Sequence, residues 1–191
     1  LTWKKCTELS IEFNRAVKGT RSSPPLPAVS FLPMSMFRIR DNLVSGGFRY
    51  LSAEPFMQGK FTKFNGNNGY IFNPRNQPAL SCEKDGRKSI ALYNDLAQAF
   101  SHWTYQYTLA CREHVLVCDI QGDGCTYTDP TICSGKRESC YGKSNMGVKG
   151  FENFFRTHKC NDICRKLKLN ATFTGRESVS THRHLVADRF G

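Results

Sequence analysis

At 191 residues, with 39% hydrophobic, 23% charged and 12% aromatic side chains, the chain is sized for one globular domain with a real core and little room for a second. It has no run of about 18 apolar residues and no signal-peptide pattern at Leu1, so neither a membrane span nor Sec export has support. Twenty-seven Lys and Arg against 16 Asp and Glu give a net charge of +11, which suggests an anionic partner without choosing among nucleic acid, anionic lipid, phosphate and acidic protein.

Nine cysteines, an odd number at irregular spacing and several inside apolar segments, favour a reducing compartment with buried thiols and a metal site over a secreted disulfide framework. Residues 3–17 read as a helix, because Cys6, Leu9, Phe13 and Val17 recur at helical spacing with charged residues between them. The Gly19–Pro27 stretch stops it as a loop. From Ser30 to Phe61, short aromatic and aliphatic segments broken by Pro33 and Gly46-Gly47 predict a small antiparallel sheet. Asn65-Gly66-Asn67-Asn68-Gly69 is turn chemistry.

A more helical half begins near Ser89. Leu92, Leu96, Phe100 and Trp103 share one face and predict a helix of about four turns. Val115–Ile120 reads as a buried strand. Phe151, Phe154 and Phe155 predict a further helix, followed by a cysteine-bearing helix to about Leu169. The polar stretch 170–191 is expected to be a flexible tail. The gross expectation is a β-rich first part and an α-rich second part.

Three constellations carry chemistry. Cys160 and Cys164 at i and i+4 would face one side of a helix, with His158 at its start, so three soft ligands can converge on a Zn²⁺ that wants four. His102 is the best fourth, with His114 and Cys118 as runners-up; the alternative is that both thiols are simply buried. A second set lies at the end of the apolar strand, where a carboxylate is costly unless paired or bound to a cation. Alternation puts Gln121 on the face of Asp119, and Asp129 follows ten residues after Asp119. Asp, Gln and Asp suit Mg²⁺ with phosphate co-ligands, although a strand cap and a turn before Pro130 would explain the same residues. Third, the glycines between Gly142 and Gly150 precede the Phe151 helix and could cradle an anion. Near the end, His182-Arg183-His184-Leu185 and Asp188-Arg189-Phe190-Gly191 echo ordinary kinase signatures, but the catalytic Asp is replaced and the second motif is split. They carry no role.

Five runs occur in order: Gln98-Ala-Phe-Ser-His-Trp-Thr-Tyr105, Leu116-Val-Cys-Asp-Ile-Gln-Gly122, Tyr127-Thr-Asp-Pro130, Gly142-Lys-Ser-Asn-Met-Gly147 and Thr157-His-Lys-Cys-Asn-Asp-Ile-Cys-Arg-Lys-Leu167. Together they resemble the α-kinase family of atypical protein kinases, over about Thr2–Leu169. The resemblance implies an α+β, two-lobed protein-kinase-like fold with a small β-rich upper lobe, a larger α-rich lower lobe and a structural zinc. It implies ATP, Mg²⁺ and transfer of the γ-phosphate to Ser or Thr of a protein substrate, in an intracellular, cytoplasmic setting. Asp119 resembles the catalytic aspartate, and Gln121 and Asp129 the metal ligands that bridge to ATP. His102, His158, Cys160 and Cys164 resemble the zinc set. Gly142, Asn145 and Gly147 resemble the loop that helps hold peptide substrate, and Glu54 and Met57 the hinge that contacts adenine. The family's upper lobe begins with strands carrying a phosphate-gripping lysine, and this sequence resembles the family only from the helix after them. None of Lys4, Lys5 and Lys18 is assigned that role, so a fragment or degraded member with weak or no activity in these 191 residues alone is expected.

A different reading is a catalytically inactive, zinc-stabilised basic module that binds an anionic partner. Residues 135–170 carry nine Lys and Arg against three Asp and Glu, a net +6, and Phe151, Phe154 and Phe155 could stack on bases. Their helical period favours core packing instead, so a nucleic-acid partner is not expected.

Overall fold

Helix α1 (Thr2–Gly19) forms where the apolar stripe predicts it, burying Cys6, Leu9, Ser10, Phe13 and Val17. In the computed structural model, residues 1–74, 84–111, 113–135 and 139–170 are described; the expected tail, from residue 171, and its kinase-like echoes lie outside them. The chain leaving α1 is tied back by Asn14, whose amide brackets the backbone of Val29 with bonds of 2.8 and 2.9 Å. The short strand β1 (Ser30–Phe31) follows.

The segment expected as one antiparallel sheet divides in two. β2 (Ser35–Arg40) and β3 (Phe48–Ala53) form an antiparallel ribbon with every residue exposed. β1 instead pairs in parallel with a later strand, β7 (Thr126–Thr128), in a four-stranded sheet ordered β1-β7-β6-β4, with β4 at Thr62–Lys63 and β6 at Gln121–Asp123. The reason is burial: Phe31 packs edge-on against Tyr127 at 5.6 Å and joins the core, which the ribbon residues do not reach.

Helix α2 (Lys84–Ala110) has 27 residues, well beyond the four turns its apolar stripe predicts. Its polar residues are buried too: Gln98, Ser101, His102, Thr104 and Thr108 are all under 5% exposed. Periodicity misses them because each is satisfied by a hydrogen bond rather than by apolar packing. Phe100 meets Phe13 at 5.3 Å and Tyr127 at 6.4 Å, and Trp103 meets Phe13 at 5.6 Å. Each large side chain so buried contributes about 1.5–3 kcal/mol.

The buried strand expected over Val115–Ile120 forms but ends at Cys118. β5 (Val115–Cys118) and β8 (Thr131–Ser134) form an antiparallel pair, buried at every position. Thr104 Oγ1 accepts from Val117 N at 3.0 Å, and Thr108 Oγ1 exchanges bonds with Val115, which fixes β5 on α2. Helix α3 (Val148–Thr157) buries Phe151 and Phe154, so these rings are core and not a base-stacking surface. Helix α4 (Asp162–Lys166) is a single short turn-and-a-half, not the longer helix expected to reach Leu169.

Candidate catalytic turn and metal centre

β5 ends at Cys118, Asp119 adopts a left-handed φ of 56°, and β6 starts at Gln121. The expected alternation along one continuous strand therefore does not operate: a residue at positive φ reverses the chain. Asp119 Oδ1 lies 2.7 Å from Lys63 Nζ, with the carboxylate side chain 14% and the lysine 43% exposed. β4 delivers Lys63, because it pairs with Gln121 across β6. Asp119 and Lys63 line an open pocket of about 390 Å³ with Asn67, Asn68 and Tyr70.

The turn is held from behind. Buried Asn65 accepts from Ile120 N at 3.1 Å and donates to Gln98 Oε1 and Ser101 Oγ on α2. Gln98 Nε2 in turn donates to Phe64 O at 2.9 Å and Asn94 Oδ1 at 3.0 Å. Such a closed polar network, with each group satisfied, specifies one geometry.

Gln121 and Asp129 are close to each other: Gln121 Nε2 lies 3.4 Å from Asp129 O, since Gln121 pairs with Thr128. Asp129 also sits at positive φ, 44°. Glu54, half-buried just past β3, accepts a hydrogen bond from Thr128 Oγ1. Met57 is half-buried in the irregular segment that follows. The Gly142–Gly147 loop has glycines at φ 84° and 60° at its ends. Asn145 Oδ1 between them accepts from Ser134 N and Gly147 N at 3.0 and 2.9 Å. Asn67 Nδ2 donates to Ser144 O, and Asn153 Nδ2 donates to Asn67 O, each at 3.1 Å. The loop is thus moored to the Asn65–Gly69 turn beside the pocket.

The second centre gathers His102, His158, Cys160 and Cys164, whose ligand atoms all lie within 4.8 Å of one another. His102 Nδ1 is 3.1 Å from His158 Nε2 and 3.6 Å from Cys160 Sγ; Cys164 Sγ is 3.8 Å from His158 Nε2. Tetrahedral bonds of zinc length place donors roughly 3.3–3.8 Å apart; the pairs at 3.1, 3.6 and 3.8 Å lie near that spacing, and the wider separations, up to 4.8 Å, would close on a bound metal ion. Burial lowers the His102 pKa to about 4, and burial with His102 nearby lowers that of His158 to about 3; both rings stay neutral, the form that ligates. The sulfurs do not share a helix face as the i, i+4 spacing suggests. Cys160 precedes α4, and Asn161 caps that helix by accepting from Cys164 N at 3.0 Å. His114, a runner-up ligand, lies at a left-handed turn before β5, and Cys118, the other, faces Cys133.

Lys63, Asn65 and Tyr70 were not legible as site residues from local pattern. Only the β4–β6 register, which juxtaposes Lys63 with Gln121, could have found the first.

The sequence profile of the alpha-kinase family matches residues 2–164. The chain belongs to the alpha-kinase family. Among its curated relatives, myosin heavy chain kinase C of Dictyostelium discoideum is 33% identical over 165 residues, which cover 86% of this chain and 17% of that protein. Human transient receptor potential cation channel subfamily M member 6 is 38% identical over 125 residues, 63% of this chain and 5% of that protein. The chain therefore spans a small part of these relatives. The apoenzyme alpha-kinase domain of myosin-II heavy chain kinase A superposes with a TM-score of 0.68 at 28% identity, covering 90% of this chain and 56% of that one. An inactive form of the same domain in complex with ATP gives 0.65 at 28% identity, covering 88% and 55%. The fold is the α+β alpha-kinase fold, with a His/Cys cluster that can hold a metal. Among the described residues no helix is long and apolar enough to cross a membrane.

Proposed function

We propose that this alpha-kinase chain belongs to an ATP-dependent protein kinase that transfers the γ-phosphate to Ser or Thr of a protein substrate, with residues 1–169 as its kinase-domain portion. The observation that carries the reading is Asp119, held on a left-handed turn at the edge of an open pocket and paired with Lys63. Asp119 accepts the proton of the acceptor hydroxyl or aligns that hydroxyl. Gln121 and Asp129, which lie beside each other, would hold a Mg²⁺ ion for the ATP phosphates. Bound there, the ion would supply neutralisation of the charge that phosphoryl transfer spreads over the phosphate oxygens. Glu54 and the backbone through Met57 contact the adenine. Gly142, Asn145 and Gly147 hold the peptide. ATP and AMP-PNP complexes of a structural relative support the nucleotide.

The four-donor cluster is assigned to Zn²⁺, because two thiols and two imidazoles suit that ion. The four side chains would satisfy a tetrahedral ion, so bound zinc would brace α2 against α4 and the segment before it and leave no open position for chemistry.

The test is transfer of labelled γ-phosphate to Ser/Thr peptides by the native full-length protein, with Asp119→Ala and Asp129→Ala beside it. Loss of transfer in both, at unchanged zinc content and melting temperature, supports the reading. Transfer that survives both changes overturns the roles given to Asp119 and Asp129, and absence of transfer by the unaltered protein favours the zinc-stabilised basic module.

A further inference from the structure

The thiols of Cys118 and Cys133 touch in the interior. Their sulfurs are 3.6 Å apart, and both residues are fully buried. Cys133 lies opposite Leu116 and Cys118 opposite Thr131, so the two cysteines are diagonal neighbours on one face of the β5–β8 pair. Cys133 also sits beneath the first turn of α3. A side-chain carbon on Gly150 would stand 2.2 Å from Cys133 Sγ, so that glycine leaves room for the sulfur. A helix N-terminus and backbone N–H groups favour a thiolate, and Cys118 and the Met146 backbone lower the Cys133 pKa by hydrogen bonding. The segment above it is largely solvent-facing, with Gly142, Lys143, Ser144 and Met146 exposed.

We propose that Cys118 and Cys133 are an oxidative modification site at which a peroxide forms a reversible disulfide that draws Asp119 away from Lys63. The Cys133 thiolate attacks one peroxide oxygen, the O–O bond breaks, and the departing hydroxide takes up the proton the thiol had released, leaving the sulfenic acid and a water. The Cys118 thiol then attacks the sulfenic sulfur, the S–O bond breaks, and a second water leaves. Two thiols are oxidised and one peroxide is reduced. A disulfide bond is about 2.05 Å long, so the sulfurs must approach by about 1.5 Å. Diagonal strand neighbours have Cα atoms about 7–8 Å apart, whereas disulfides hold them at about 4.4–6.8 Å, so backbone must move as well. The place to yield is the end of β5: Cys118 is its last residue, and Asp119 has already left the sheet at positive φ. Any effect on phosphoryl transfer rests on the role proposed for Asp119; the disulfide and the movement do not.

The experiment exposes the chain to hydrogen peroxide and then to dithiothreitol. Peptides are mapped without reduction, and Lys63 is footprinted with an acylating reagent. The expected result is a Cys118–Cys133 cross-link, reversed by dithiothreitol, with a several-fold rise in Lys63 acylation once its carboxylate partner withdraws. Cys133→Ser should abolish both. Cys118→Ala should stop at the sulfenic acid, which supplies a second arm if the serine variant melts early. Absence of the cross-link, or a cross-link with unchanged Lys63 labelling, overturns the proposal. Mg-ADP binding measured on reduced protein separates the two readings, because its absence would count against the kinase assignment while leaving the thiol chemistry standing.

Discussion

Asn65 grips Ile120 at both ends of its backbone: its side-chain oxygen accepts from Ile120 N at 3.1 Å, and its own N–H points to Ile120 O at 3.3 Å. The peptide joining Asp119 to Ile120 is thereby fixed, and with it the direction in which the Asp119 carboxylate leaves the turn. Asn65→Ala strands the Ile120 N–H and removes the donor to Gln98 and Ser101. Each buried group left unpaired costs about 1–3 kcal/mol, so a loss of about 2–3 kcal/mol is expected in urea unfolding. An unfolding midpoint equal to that of the parent would show that the network contributes nothing.

Stripping the metal should loosen one end of the molecule. With His102 on α2 and the other three donors between residues 158 and 164, zinc would tie two separate stretches together. Metal binding energy is folding energy at such sites. Exhaustive chelation, and separately Cys164→Ala, should each lower stability by about 3 kcal/mol or more, with zinc loss followed by atomic emission. A protein that is metal-free as purified and equally stable with and without added zinc would rule the site out.

Tyr127 is 0% exposed, and its hydroxyl has no hydrogen-bond partner among the described residues. The ring is surrounded by Phe31, Phe64 and Phe100. Burial pushes the phenol pKa well above its ordinary value. Removing an unsatisfied buried hydroxyl relieves its desolvation penalty, so Tyr127→Phe should stabilise the fold by about 1 kcal/mol. Calorimetric melting temperature gives the sign directly; a lowered value would mean that the hydroxyl is partnered after all.

Gly122, the middle residue of β6, has a φ of 152°, and a Cβ there would stand 2.0 Å from the backbone oxygen of Thr126. Backbone cannot rotate aside as a side chain can. Gly122→Ala should cost more than about 3 kcal/mol or prevent folding, whereas Gly142→Ala, with nothing near its Cβ position, carries only the strain of its positive φ, about 1–2 kcal/mol. Soluble yield and denaturant midpoints of the two variants should rank in that order.

What could be read from sequence followed local spacing. The α1 stripe, the Phe151–Phe154 helix and the His158–Cys160–Cys164 grouping all lie within a few residues of one another, so periodicity and ligand count sufficed. His102, 56 residues before His158, was still reachable through its ligand chemistry, but the other features built by pairing distant segments escaped. The Lys63–Asp119 contact needs the β4–β6 register. The parallel placement of β1 beside β7 depends on Phe31 finding Tyr127, 96 residues onward. The full length of α2 is hidden from periodicity because its buried polar residues look like solvent-facing ones until their partners are known. The reversal at Asp119 is a backbone event with no compositional mark, since aspartate tolerates the left-handed region without requiring it.

One stretch of α2 works like the bitting of a key. Gln98 and Ser101 meet Asn65, His102 enters the metal cluster, and Thr104 and Thr108 engage Val117 and Val115. Deleting a single residue between Gln98 and Thr108 would rotate everything beyond it by about 100°. Every one of those cuts past the deletion would then miss its pin. This interval should therefore tolerate conservative replacement far better than any change in its length.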